Sequence, residues 1–105
     1  MRVILLMWVM GCAQATDPCD AMCTAAAQLY GSCLSDWDAD WTAAGYSDES
    51  DFIDACDTWA WEMRLLESEH GGAGAVDATC SERTVQFSDG TCSDFTETDW
   101  NEMPW

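Results

Sequence analysis

Apolar positions along the chain form two strong helical stripes and a third, weaker one. Cys19, Met22, Cys23, Ala26, Tyr30, Cys33, Leu34 and Trp37 recur at steps of three and four residues. At about 100° per residue these positions share one helix face, while Thr24, Gln28, Ser32 and Ser35 share the other. Asp17 is placed to cap this first helix, Pro18 suits its first position, and Asp20 sits where a carboxylate favours the positive helix end. In the second stripe Phe52, Cys56, Trp59, Met63 and Leu66 form a seam. Ser47 or Asp48 precedes it as a cap and Gly71 follows as a stop, while Asp51, Asp54, Asp57 and Glu62 turn mostly to water. Trp61 and Leu65 break this pattern, because they stand one turn apart and opposite the seam. We expect them to meet the carboxy-terminal tail; the alternative is an exposed contact patch.

The glycine-rich break Gly71 to Ala75 separates these helices from the rest of the chain. Beyond it Val76, Cys80, Thr84 and Phe87 give the third stripe, with a capping-box pattern at Thr79-Cys80-Ser81-Glu82. Val85-Gln86-Phe87 alternates as a strand would and Asp89-Gly90 is a hairpin-type turn, but a short third helix is the reading we adopt. Cys92 and Phe95 then open an irregular tail whose tryptophans fold back on the bundle. The predicted fold is all-α: a small disulfide-stapled helical bundle of two long antiparallel helices, a short third helix and an irregular carboxy-terminal tail.

Residues 1–15 stand outside this domain. Met1-Arg2 carries one positive charge, Val3 to Met10 is an unbroken apolar run, and small residues follow, which is the layout of an export signal. Eight apolar residues fall far short of the roughly 20 needed to span a bilayer. Two cleavage routes are legible. Val9-Met10-Gly11-Cys12 has a lipobox pattern, with cleavage before Cys12 and acylation of its thiol. Ala13-Gln14-Ala15 is an A-x-A site that would leave Thr16 as the new amino terminus. Residues 16–105 form the six-cysteine acidic domain under either route.

The cysteine count agrees with export. The chain has seven, and either route removes Cys12 from pairing, leaving Cys19, Cys23, Cys33, Cys56, Cys80 and Cys92 for three bridges. A hairpin of the two long helices with its turn near Ala44 would place Cys33 opposite Cys56. Cys23–Cys80 and Cys19–Cys92 complete the expected set. A zinc site is disfavoured, because C-x3-C followed by C-x9-C lacks the close thiolate pairs such sites use.

Charge narrows the partners. All 20 acidic residues follow Thr16 and only Arg64 and Arg83 oppose them, so the exported domain carries 2 − 20 = −18. Phosphate backbones and anionic membrane surfaces are repelled, which argues against nucleic acid. Divalent cations and basic proteins are attracted, although such acidity also serves solubility in a salty habitat. Asp36, Asp38 and Asp40 make the D-x-D-x-D opening of a calcium loop, but Trp41 and Ser47 occupy the places where an EF-hand needs glycine and glutamate. Calcium is therefore a weak candidate, and no other cofactor is expected.

Catalytic patterns are poorer still. Glu67-Ser68-Glu69-His70 matches E-x-x-H, yet a di-iron bundle needs a second copy and His70 is the single histidine of the chain. A Ser-His-Asp arrangement would depend on the same residue beside a glycine run, so no enzyme is expected. Of the tryptophans, Trp37 and Trp59 are assigned to the core, Trp41 also packs inward, and Trp61, Trp100 and Trp105 are candidates for contact with a protein or glycan partner.

The segment Val9-Met10-Gly11-Cys12, followed by Pro18-Cys19 and a cysteine-rich acidic domain, resembles the small lipoproteins of Gram-negative bacteria. That resemblance implies a membrane anchor through lipid on Cys12, and Ala13 after the cysteine implies the outer membrane. The cysteine spacing departs from saposins, elicitins and twin C-x9-C proteins. The expected role is a non-catalytic cell-envelope surface or binding protein, exported to the outer membrane or periplasm. The alternative is a soluble secreted module such as a signal, effector or calcium-binding domain.

Overall fold

The computed structural model describes residues 17–72 and 74–102; Cys12, the signal segment and Trp105 lie outside them. The described chain is all-helical, in the order α1 (Pro18–Asp36), α2 (Trp41–Ala44), α3 (Glu49–Glu69), α4 (Ala75–Ser88) and α5 (Cys92–Thr96). α1 starts where its capping residue dictates: the Asp17 carboxylate accepts from the amides of Cys19 at 2.8 Å and Asp20 at 3.3 Å. Its inner face buries Met22, Cys23, Ala26 and Ala27 completely. The run of alanines lets neighbouring helices approach closely, and α1 packs most extensively against α4 and next against α3. Trp37 follows the last turn of α1 as its C-cap and is 49% exposed, so it is not the core residue the stripe predicted.

α3 takes its start from Asp48, whose carboxylate accepts from the Asp51 amide at 2.8 Å. Phe52, Cys56 and Met63 of the predicted seam are buried, and Trp59 and Leu66 are partly so. α4 begins earlier than its capping-box pattern suggested. Its N-cap is Gly74, at φ 88°, a left-handed conformation that a residue with a Cβ adopts only at a cost. Glycine brings no side chain to cap, and α3 supplies one instead: the buried Glu67 carboxylate accepts from the Val76 amide at 2.8 Å. Thr79 to Glu82 lie inside α4, as does Val85-Gln86-Phe87, so the helical stripe prevails over the strand-like alternation. The capping box belongs to α5, where Thr91 and Asp94 bond reciprocally. α5 also interrupts the tail expected to be irregular.

Three disulfides staple the bundle: Cys19–Cys80, Cys23–Cys56 and Cys33–Cys92. All three partners differ from the expected pairs Cys33–Cys56, Cys23–Cys80 and Cys19–Cys92, and the reason is register. The connection after α1 is not a tight turn at Ala44. The chain reverses directly after Asp36, and α2 with Tyr46 then runs back beside the last turns of α1; a Cβ on Gly31 would lie 3.3 Å from the Trp41 ring. α3 therefore meets α1 ten residues nearer its start, about 15 Å along the axis, and Cys56 finds Cys23. The up-down-up course makes α4 parallel to α1, so Cys80 and Cys92 bond in rising order to Cys19 and Cys33. Three such bridges belong to a chain that folds in an oxidising environment. No described helix is long and apolar enough to cross a membrane.

Candidate functional site

Behind the register shift lies a cluster of aromatic rings contributed by five separate stretches of the chain. Tyr30 comes from α1, Tyr46 from the segment after α2, Phe52 and Trp59 from α3, Phe95 from α5 and Trp100 from the tail. Together with Ala55 and Cys56 they line an open cleft of about 310 Å³, at the lower end of the range for small-molecule sites. Its rings hold one another in place. Tyr30 stacks on Phe95 with centroids 4.5 Å apart and meets Phe52 edge-on at 5.4 Å. Tyr46 meets Phe52 at 5.2 Å, and Trp59 and Trp100 stand perpendicular at 5.5 Å. Such offset and edge-to-face contacts add to the area each ring buries.

Arg83 stands behind the tryptophan wall. Its guanidinium carbon lies 5.6 Å from the Trp59 ring centroid and 5.1 Å from that of Trp100, within cation–π range. Nη2 donates to the Asp99 carbonyl at 3.0 Å, whereas Nη1 is buried without a partner among the described residues. Burial lowers the Arg83 pKa, opposed by the charges of Glu102 and Asp99. The Trp59 indole N–H donates to the Trp100 carbonyl at 2.8 Å, tying the tail to α3. Burial, reinforced by Tyr46, raises the Tyr30 pKa, keeping that phenol neutral across the physiological range.

No charged side chain among the described residues lines the cleft, and the chain carries a net charge of −17. The other arginine is already engaged: Arg64 contacts Asp17 at 2.6 Å and Asp77 at 2.7 Å. The cleft is thus a neutral aromatic concavity in a strongly negative field, suited to holding an apolar or cationic group.

The residues singled out from sequence are distributed unevenly around it. Cys56 lines the cleft, and it and the other five cysteines of the described residues are bridged in or beside the core. Asp36, Asp38 and Asp40 are exposed and diverge: Asp36 ends α1 and Asp40 caps α2 by accepting from the Ala43 amide at 2.8 Å. No group of three or more metal-ligating side chains converges among the described residues. Glu67 is consumed in capping α4 and His70 forms the C-cap of α3. Trp61 and Leu65 stay open rather than covered by the described tail, at 62% and 48% exposed. Trp59, two residues earlier, holds the tail instead, and Trp100 packs on the core rather than outward. Sequence reasoning missed Tyr46 and Phe95 as site residues, and it read Tyr30 as part of a stripe. The available signal was aromatic density either side of Cys33 and Cys56, which periodicity does not register. Comparison with protein-family models, characterised proteins and solved structures finds no match for this chain.

Proposed function

We propose that this protein is an exported, non-catalytic binding protein of the cell envelope, anchored through lipid on Cys12, with the aromatic cleft as its ligand site. The observation that carries this reading is the cleft itself. A domain this small has little apolar area to spare, yet it leaves six rings around an open concavity and fixes them with three bridges. The lining offers ring faces and two phenol hydroxyls, the chemistry of holding a ligand rather than of transforming one. The lipobox pattern and the disulfides support a place at the outer membrane or in the periplasm. A soluble secreted module, cut after Ala15, is the second reading, and the A-x-A motif is its support.

Mass spectrometry of the protein taken from its own membranes tests both parts. Acyl chains on Cys12, and a bound small molecule that the Tyr46→Leu variant fails to retain, are the expected results. A free Thr16 terminus with no acyl mass would replace the anchor by secretion, and an empty wild-type protein would remove the cleft from consideration as a site.

A further inference from the structure

We infer that the cleft accepts an organic cation, namely a quaternary or bulky tertiary ammonium group with its alkyl substituents against the rings. This rests on the reading of the cleft as a ligand site and names the ligand's chemistry. Three features of the molecule converge on it. First, the lining is aromatic on several sides, the composition of sites that hold alkylammonium groups without a counter-charge. Second, the field is one-signed: 20 acidic residues stand against three Lys and Arg in the whole chain, of which Arg64 is paired with two carboxylates and Arg83 is buried. A carboxylate or phosphate ligand would approach against that potential and find no exposed arginine among the described residues to meet it, whereas a cation is drawn in. Third, no carboxylate among the described residues lines the cleft, so a small hydrated ion gains no ligands there, while a greasy cation loses little hydration on entering.

Arg83 refines where the cation sits. Its guanidinium already uses the Trp59 and Trp100 rings, and its positive charge repels a second cation from them. The Tyr30, Tyr46, Phe52 and Phe95 side of the cleft has no such neighbour. Phe52 and Phe95 are buried while Tyr30 and Tyr46 are partly so; Tyr46 lies in the connection after α2 rather than on a long helix, so it is the residue to vary.

The experiment is a titration of the disulfide-intact protein, followed by the indole N–H resonances, with choline, with its neutral isostere 3,3-dimethylbutan-1-ol, and with 3,3-dimethylbutanoate, all at constant ionic strength. We expect saturable choline binding, about tenfold weaker binding of the alcohol and none of the carboxylate. Tyr46→Leu should weaken choline about fivefold while Tyr46→Phe, which keeps the ring, holds it within about twofold; an unchanged disulfide map and far-ultraviolet spectrum show that both variants fold. Equal binding of choline and the alcohol overturns the cation inference but leaves the cleft a ligand site. Choline affinity that ignores Tyr46→Leu overturns it too, because the cation then binds the acidic surface elsewhere. Absence of saturation by any of the three probes overturns it as well.

Discussion

The carboxyl groups of Asp20 on α1 and Asp57 on α3 lie within hydrogen-bonding reach of each other across the helix interface, a closeness that two ionised carboxylates oppose. Burial, the nearby Asp20 carboxyl and the charges of Asp54 and Asp17 push the Asp57 pKa up to about 6, from an ordinary 3.8. Between those values the folded state holds a proton that the unfolded chain has released. Stability therefore falls as pH rises through that window and levels off above about 6. Asp57→Asn cannot ionise and should lie flat there. Because the site is partly exposed, the gain at pH 7 should be modest, about 2–4 °C in melting temperature, and should vanish near pH 4. Melting curves across that range check it, and equal slopes for the two proteins would refute it.

Arg64 joins Asp17 of the α1 cap to Asp77 of α4. Its bond to Asp17 holds that carboxyl below the usual range, and the two carboxylates raise the guanidinium's own pKa. A depressed acid stabilises above its unfolded value and loses that contribution as pH falls through its folded one. Arg64→Met should cost about 1 kcal/mol at pH 7, since solvent screens the pair. Urea titrations should show that deficit shrinking below about pH 3.8.

Peptide mapping without reduction should recover Cys19–Cys80, Cys23–Cys56 and Cys33–Cys92. Replacing either wide bridge by alanines should cost about 2–4 kcal/mol. The loops closed by Cys19–Cys80 and Cys33–Cys92 span 61 and 59 residues, against 33 for Cys23–Cys56. Loss of the narrow bridge should therefore be milder by about 0.5 kcal/mol. The reverse order in chemical denaturation would show that strain, not loop closure, governs these bonds.

Glu67→Ala leaves the buried Val76 amide without an acceptor and should cost about 1–3 kcal/mol, with hydrogen exchange accelerated first in the opening turn of α4. Glu67→Gln keeps a carbonyl oxygen at that place and should recover most of the loss. If the two variants exchange alike, the amide finds its acceptor elsewhere.

Phe87→Ala empties a site 2% exposed and should cost about 3–5 kcal/mol. Trp61→Ser and Leu65→Ser, on the open face of α3, should stay within about 0.5 kcal/mol of the parent. Denaturant midpoints decide it, and a large loss at Trp61 would mean that face is covered.

Local rules carried the sequence reading as far as the helices, and the places where it stopped have physical causes. Asp17, Pro18 and Asp48 announce helix starts because a capping bond is made within a few residues. The seam of α3 is legible because burial follows the helical period. Bridge partners depend on how far α3 slides along α1, and that is decided by ring packing of Trp41 and Tyr46 in a connection with no periodic pattern. The Glu67 cap was hidden because glycine at the start of α4 left no local signature. The cleft was hidden because its walls come from five separate stretches of chain.

Every bridge has one end on α1. If a protease severed the bundle at Arg64 and Arg83, the two arginines of the described chain, the three pieces would still be one covalent object, each fastened to the same spine. Outside the cell, where digestion is a standing hazard and no reductant waits, such a molecule can be nicked and yet not come apart.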